Sequence, residues 1–324
     1  MPSLLDPALL ARIGDLELAA RTVVDGLRSG PHRSPFHGYS AEFSQYRHYR
    51  PGDDLKYIDW KLLARTDRLY TKQFRETTEL AATIVIDTSG SMSFASAASE
   101  ASEADGGNGA SVSKLQYTTM AAAALAYVIS TQGDAVGLLA TQEGQEGREK
   151  TSATLATASA RRTTTYIAPR SGTSHLRGVI AAMTRLTASG AAAPDAGVRR
   201  ATDLLRRRGL LLVFSDFYDR ESETLAELRR AARMGHDVMV FQVVTRAELE
   251  FPFRDDVDFR DLESSRSVLT NARDIRTAYK DAFAAFVERW RTQTRAEGLD
   301  YTLLVTDTPL DEALRGVLLR RTAA

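Results

Sequence analysis

Thr83-Ile84-Val85-Ile86-Asp87-Thr88-Ser89-Gly90-Ser91-Met92 decides how the rest of the chain is read. Its apolar, mostly β-branched run reads as a strand buried on both faces, as in a parallel sheet. The run stops at an aspartate, and two serines follow at alternate positions around a glycine. Asp-x-Ser-x-Ser places one carboxylate and two hydroxyls on a tight loop at the carboxyl end of the strand. Such an all-oxygen set suits a hard cation, Mg²⁺ or Mn²⁺. A polar βα loop with a Ser or Asp helix cap is the competing reading of the same string.

Outward from this stretch, strand and helix alternate to the carboxyl end. Lys114 to Gln132 reads as an alanine-rich helix ended by Gly133, and residues 135–140 as a strand. Gln142 to Thr164 is polar and repetitive and reads as an exposed loop or hairpin. Pro169-Arg170-Ser171-Gly172-Thr173-Ser174-His175-Leu176 opens a helix running to about Leu186, and Ser189 to Val198 reads as a linker. Leu210-Leu211-Leu212-Val213-Phe214 is a second continuous apolar strand, ending in Ser215-Asp216. A helix over about 221–234 and a strand over 238–244 follow it. A β-rich excursion over 251–264, a long helix at about 274–297, a strand over 301–305 and a helix near 310–320 complete the pattern. Apolar strands alternating with helices predict an α/β, doubly wound, mainly parallel sheet. Ligands of such sheets sit at the carboxyl ends of the strands. Three polar clusters are candidates to meet there: Asp87/Ser89/Ser91, Thr173 and Asp216.

Upstream of the sheet, residues 4–28 show helical periodicity up to Gly30-Pro31. Phe36 to Phe74 then concentrates aromatics, among them Tyr39, Phe43, Tyr46, Tyr49 and Trp60, interleaved with Arg and Lys. Asp53, Asp54, Asp59 and Asp67 sit among those bases and would pair with them, which favours a packed, β-containing element over a nucleic-acid platform. Pro51-Gly52-Asp53-Asp54 reads as a turn. The expected division is 1–79 for the amino-terminal helix and aromatic-rich segment, and 80–324 for the sheet domain. Ala95 to Ser113 is low-complexity and reads as an insertion without chemistry of its own.

Composition narrows the function. The 324 residues are 43% hydrophobic and 26% charged, and Lys+Arg and Asp+Glu both total 42. Zero net charge gives no global reason to expect nucleic acid or an anionic membrane. The absence of cysteine excludes disulfides, thiolate metal sites and cysteine nucleophiles. No HExxH, Walker A or Gly-x-Ser-x-Gly motif occurs, so no enzymatic activity is expected. The first twenty residues lack a basic n-region and a continuous apolar core, and the longest apolar run, 120–129, is too short to span a bilayer. The expected location is therefore the cytoplasm.

Taken in order, Asp-x-Ser-x-Ser, Gly172-Thr173 and Ser215-Asp216 resemble the metal-ion-dependent adhesion site of von Willebrand factor A-type domains. Upstream, Gly38-Tyr39-Ser40-Ala41-Glu42-Phe43, Arg47-His48-Tyr49-Arg50-Pro51-Gly52-Asp53-Asp54 and Ile58-Asp59-Trp60-Lys61 resemble the signature of the bacterial family called domain of unknown function 58. The likeness continues through Gly133-Asp134, Gly172-Thr173-Ser174-His175-Leu176 and Asp261-Leu262-Glu263, about residues 35–320 in all. It implies an A-type, Rossmann-like fold with an added amino-terminal element, and a MoxR-type AAA+ ATPase as partner. It also implies that Ser89, Ser91 and Thr173 bind the metal directly, with Asp87 and Asp216 holding it through waters. Neutral direct ligands leave the cation with charge to spare, and an acidic residue of a protein partner would meet it. A Mg²⁺- or Mn²⁺-dependent hydrolase using the same cluster is the alternative.

Overall fold

The computed structural model describes residues 7–12, 15–28, 41–50, 58–76, 80–95, 111–143, 162–205, 207–264 and 266–322. The turn at 51–54 and the central part of the low-complexity stretch lie outside them. Two compact units emerge, one within Phe36–Leu80 and the other made from Met1–Pro35 with Ala81–Ala324.

In the smaller unit, strands β1 (Ala41–His48) and β2 (Tyr70–Glu76) pair antiparallel, with a helix at Trp60–Thr66 between them in the chain. Asp59 starts that helix, its Oδ1 accepting from the Leu62 amide at 3.0 Å. The expectation of a β-containing aromatic segment holds, although Trp60 itself is 61% exposed.

The larger unit is a six-stranded sheet. Its strands are β3 (Ala81–Asp87), β4 (Ala135–Glu143), β5 (Arg162–Arg170), β6 (Leu210–Ser215), β7 (Asp237–Val244) and β10 (Asp300–Val305). Their order across the sheet is β10-β7-β6-β3-β4-β5. All neighbours run parallel except the β4–β5 pair, which is antiparallel. β3 is central, and every residue of it after Ala81 is buried. β6 beside it is buried throughout. These are the two apolar runs of the sequence, and covering both sheet faces with helices is what their composition requires.

One face buries Val85, Leu211, Val213 and Val240 with Leu228 and Trp290. Trp290 belongs to the long helix Ala272–Ala296, is fully buried, and lies 4.6 Å ring to ring from Phe217. The other face receives the helix Lys114–Thr131, whose run of alanines lets it approach the sheet closely. Along that helix packs Leu16–Arg28, which buries Ala19, Ala20, Val23, Val24 and Leu27. Arg21 of the same helix stands 5.7 Å from the Tyr127 ring. The amino-terminal helix therefore belongs to the sheet unit, which corrects its expected grouping with the aromatic-rich segment; the break near residue 80 stands. Its apolar stripe needed a surface, and the alanine-rich helix supplies one.

A short antiparallel hairpin, β8 (Asp256–Arg260) with β9 (Ser267–Asn271), stands apart from the main sheet. No helix among the described residues is long and apolar enough to cross a membrane.

Trp290→Ala should cost about 3–5 kcal/mol, the usual range for emptying a fully buried aromatic site. Urea unfolding of the full chain, followed by far-UV circular dichroism, measures this directly.

Candidate functional site

Asp87 and Asp216 end up together because β3 and β6 are neighbouring parallel strands in register, Ile86 opposite Phe214. Both leave the sheet at its carboxyl edge, and both aspartates are buried. Asp87 Oδ1 accepts from the Ser89 amide at 3.0 Å, an Asx turn that folds the loop back on the strand end. Asp87 Oδ2 accepts from Ser215 Oγ at 2.6 Å, and Ser215 Oγ in turn accepts from the Phe217 amide at 3.0 Å. Ser89 Oγ and Ser91 Oγ stand 3.0 Å apart on the one-turn 3-10 helix that follows.

Two further loops reach this edge. Residues 186–193 are stitched to the first loop, the Ser189 amide donating to Thr88 O at 2.8 Å and the Gly90 amide to Gly190 O at 2.9 Å. The hairpin turn between β8 and β9 also arrives here. Its Glu263 carboxylate accepts from the Ala192 amide at 2.9 Å and, more weakly, from the Ser91 amide at 3.5 Å.

Lys114 supplies the fixed positive charge. It opens the helix Lys114–Thr131, yet its side chain is fully buried. Its ammonium donates to Asp216 Oδ2 at 2.7 Å and to Glu248 Oε1 at 2.8 Å, and sits 4.6 Å from the Tyr218 ring. Glu248 is itself held, its other oxygen accepting from the Thr245 amide at 2.6 Å. Burial alone would lower the lysine pKa, but the charges of Asp216 and Glu248 outweigh it and hold the ammonium above its ordinary value. Asp87 shows the opposite balance. Burial first, then the nearby charge of Asp216, pushes its carboxyl up to about 6, although hydrogen bonds from Ser215 and Ser89 oppose the rise. The site thus carries negative charge that its own lysine only partly neutralises.

Thr173 is not part of it. β5 runs antiparallel to β4, and its last residue, Arg170, pairs with Val136 at the amino end of β4. His175 Nε2 is 2.9 Å from Val136 O, which fixes the start of the helix Thr173–Met183 at that same end. Asp87 pairs with Thr141 at the other end of β4, so five residue steps of strand at about 3.3 Å each, roughly 16 Å, separate the two ends. Thr173 is exposed there. The expectation that it joins Asp87, Ser89, Ser91 and Asp216 is corrected. The loop or hairpin expected over 142–164 lies outside the described residues at 144–161, and β4 and β5 enter its two ends as an antiparallel pair.

Sequence reading missed Lys114, Glu248, Glu263 and the loop 186–193. The small polar run Thr187-Ala188-Ser189-Gly190, taken as the approach to a linker, was the available signal for the loop. Nothing local marks Lys114, and Glu263 stands out only within the family likeness of Asp261-Leu262-Glu263, with no role attached; their partners lie 102 and 172 residues away.

A hard cation can be tested against this donor set. Adjacent ligands around an octahedral ion with bonds of about 2.1 Å stand about 3.0 Å apart, which the two serine hydroxyls match. Asp87, raised in pKa beside them, has negative charge to offer. Asp216 is partly committed, because Lys114 already holds its Oδ2. Among the described residues no group of three or more His, Asp or Glu forms a metal cluster. The serine pair therefore fits an ion; Asp87, whose two oxygens already accept from Ser89 and Ser215, would act on it through its charge, and Asp216 Oδ1 carries only the long 3.5 Å bond from the Tyr218 amide.

These features define a doubly wound α/β domain with a buried polar edge made from the loops after β3 and β6. The chain belongs to the family described as Protein of unknown function DUF58, whose model matches residues 45–289. It is 30% identical over 287 residues to the uncharacterized proteins Mb1516 of Mycobacterium bovis and Rv1480 of Mycobacterium tuberculosis, covering 86% of this chain and 78% of each relative. Among solved structures, BatB from Bacteroides thetaiotaomicron aligns at 13% identity and a TM-score of 0.44, over 76% of this chain and all of that one. The SpRpn10 VWA domain aligns at 12% identity and a TM-score of 0.38, over 72% of this chain and 94% of that one.

Lys114→Met should cost about 3–5 kcal/mol, since it leaves the buried Asp216 and the partly buried Glu248 without their cation. Equilibrium urea unfolding checks it. Asp87 gives a pH signature. Its folded-state pKa of about 6 lies above the unfolded value of 3.8, so the folded chain holds the proton more tightly. Its contribution is most favourable below pH 3.8 and is lost as pH rises through 6, by up to about 3 kcal/mol. Unfolding free energies of the wild type and Asp87→Asn, measured from pH 4 to 7, should diverge over that window.

Proposed function

We propose that this protein is a protein-interaction module whose ligand edge takes a carboxylate of its partner, with Mg²⁺ or Mn²⁺ held by Asp87, Ser89, Ser91 and Asp216. The observation that carries the reading is the loop geometry at the carboxyl edge. Two hydroxyls stand at octahedral spacing beside an under-compensated aspartate, and amides of two adjacent loops are directed at a carboxylate. The ion, when bound, would supply a positive charge that the neutral serines leave largely uncompensated. The chain's own residues do the rest. Asp87 orients the loop through the Ser89 amide, Ser215 holds Asp87, and Lys114 keeps Asp216 in place.

Binding suits this arrangement better than turnover. Both Asp87 oxygens accept bonds from the protein and the side chain is buried, so it is shut off from a substrate. Asp216 Oδ2 and Glu248 are tied to Lys114. General-base work requires a carboxylate within reach of the attacking water. The partner suggested by the resemblance to domain of unknown function 58 proteins is a MoxR-type AAA+ ATPase, with this chain as its adaptor.

Calorimetric titration with Mg²⁺ and Mn²⁺ should show a single site on the wild type and none on a Ser89→Ala/Ser91→Ala double variant. Capture of the cognate MoxR-type ATPase should require the ion and should fail with Asp87→Ala. Capture indifferent to both changes would overturn the metal-bridged reading.

A further inference from the structure

The β8–β9 hairpin belongs neither to the sheet nor to the helices that cover it, yet its turn lies on the ligand edge. The turn is closed by the Asp261 amide donating to Arg266 O and the Glu263 amide donating to Asp261 Oδ1, both at 2.8 Å. Gly90 meets it so closely that a Cβ there would come within 2.4 Å of Leu262 O. Glu263 lays its carboxylate across the Ala192 and Ser91 amides, bridging the loops after β3 and before the helix Pro194–Leu204. Beside it, Leu262 borders a cavity of about 470 Å³ walled by Phe94, Phe251, Phe253, Phe259 and Tyr279. Ser91 and Lys114 line the same cavity, so it is continuous with the ligand edge.

We infer that Leu262–Glu263 is an internal stand-in for the partner, which binds by displacing the hairpin turn and presenting a large apolar residue followed by Asp or Glu. This rests on the reading that the edge takes a partner's carboxylate. Three features support it. A carboxylate of this chain already sits on amides from both edge loops, so the position accepts that group. The β9 side of the hairpin is exposed, Val268 and Leu269 at 62% and 75%, its β8 side is held through Phe259 against Phe251 and Phe253, and one of the two Glu263 bonds is long at 3.5 Å. Elements with few buried contacts open at low cost. Finally, the aromatic cavity beside Leu262 leaves room that the hairpin does not fill, and an aromatic or long aliphatic side chain of the partner would occupy it.

The probe is a fluorescein-labelled synthetic peptide with the sequence of residues 258–267, and a second peptide in which Gln replaces its Glu. Fluorescence anisotropy is read with the full-length protein in excess Mg²⁺. Glu263→Ala should bind the first peptide at least ten-fold more tightly than the wild type and should discriminate at least ten-fold against the Gln peptide. Gly90→Ala, which cannot keep Leu262 O in place, should gain affinity in the same direction. Should Glu263→Ala fail to fold, Glu263→Gln keeps the shape, removes the charge and should still gain several-fold. Amide exchange at Ala192 should quicken in Glu263→Ala and slow again with peptide bound, a reversal that a purely structural latch would not give. Equal, Glu-dependent affinity for wild type and variants overturns the stand-in while leaving the carboxylate-binding edge intact. No saturable binding to any of the proteins overturns both.

Discussion

The Lys114 ammonium between Asp216 and Glu248 is the interaction on which the carboxyl edge of the sheet depends. Three carboxylates, those of Asp87, Asp216 and Glu248, gather where β3, β6 and β7 leave the sheet, and two of them are buried. Ionised side chains in such a place are tolerated only with an opposite charge and saturated hydrogen bonds. Lys114 is delivered by the first turn of a helix whose alanines let it lie close to the sheet. The capping box of Ser113 and Gln116 holds that turn, the Gln116 amide donating to Ser113 Oγ at 3.1 Å and Gln116 Oε1 accepting from the Ser113 amide at 3.0 Å. Helix capping, burial and ion pairing are therefore one construction, and Asp216 keeps its position because of it.

That construction leaves Asp87 outside the lysine's reach. Its oxygens are bonded to Ser215 and Ser89, but hydrogen bonds from neutral donors do not cancel the charge of a neighbouring aspartate, and its pKa rises accordingly. The edge is thus built with one aspartate neutralised and one not. Burial beside Asp216 therefore leaves Asp87 without the opposite charge that Lys114 gives Asp216. The hairpin turn adds the last element, an acidic side chain that already sits on the loop amides.

The direction of one strand decides what joins this edge. Because β5 turns back on β4, the chain emerges at the amino end of the sheet, and the Gly172-Thr173 helix start goes with it. The following helix, Thr173–Met183, then carries the chain back, so it is the loop 186–193 that meets Thr88 and Gly90. A polar motif in the right order along the chain does not establish a place in the site; strand direction does.

Much of the fold could be read from residues alone. The apolar runs 83–86 and 210–214 announce strands buried on both faces, and their alternation with helical periods points to a mainly parallel, doubly wound sheet, because that pattern reflects local solvation along each element. The Asp-x-Ser-x-Ser turn was legible for the same reason, since Asp87 and Ser89 interact two residues apart. Tertiary structure decided the rest. Lys114 meets Asp216, Glu263 meets Ser91 and Ala192, and Thr173 stays away, all through strand order and the reversal at β5. Those contacts depend on pairing between segments far apart in the chain, and no local pattern of hydrophobicity or charge encodes which of them will meet.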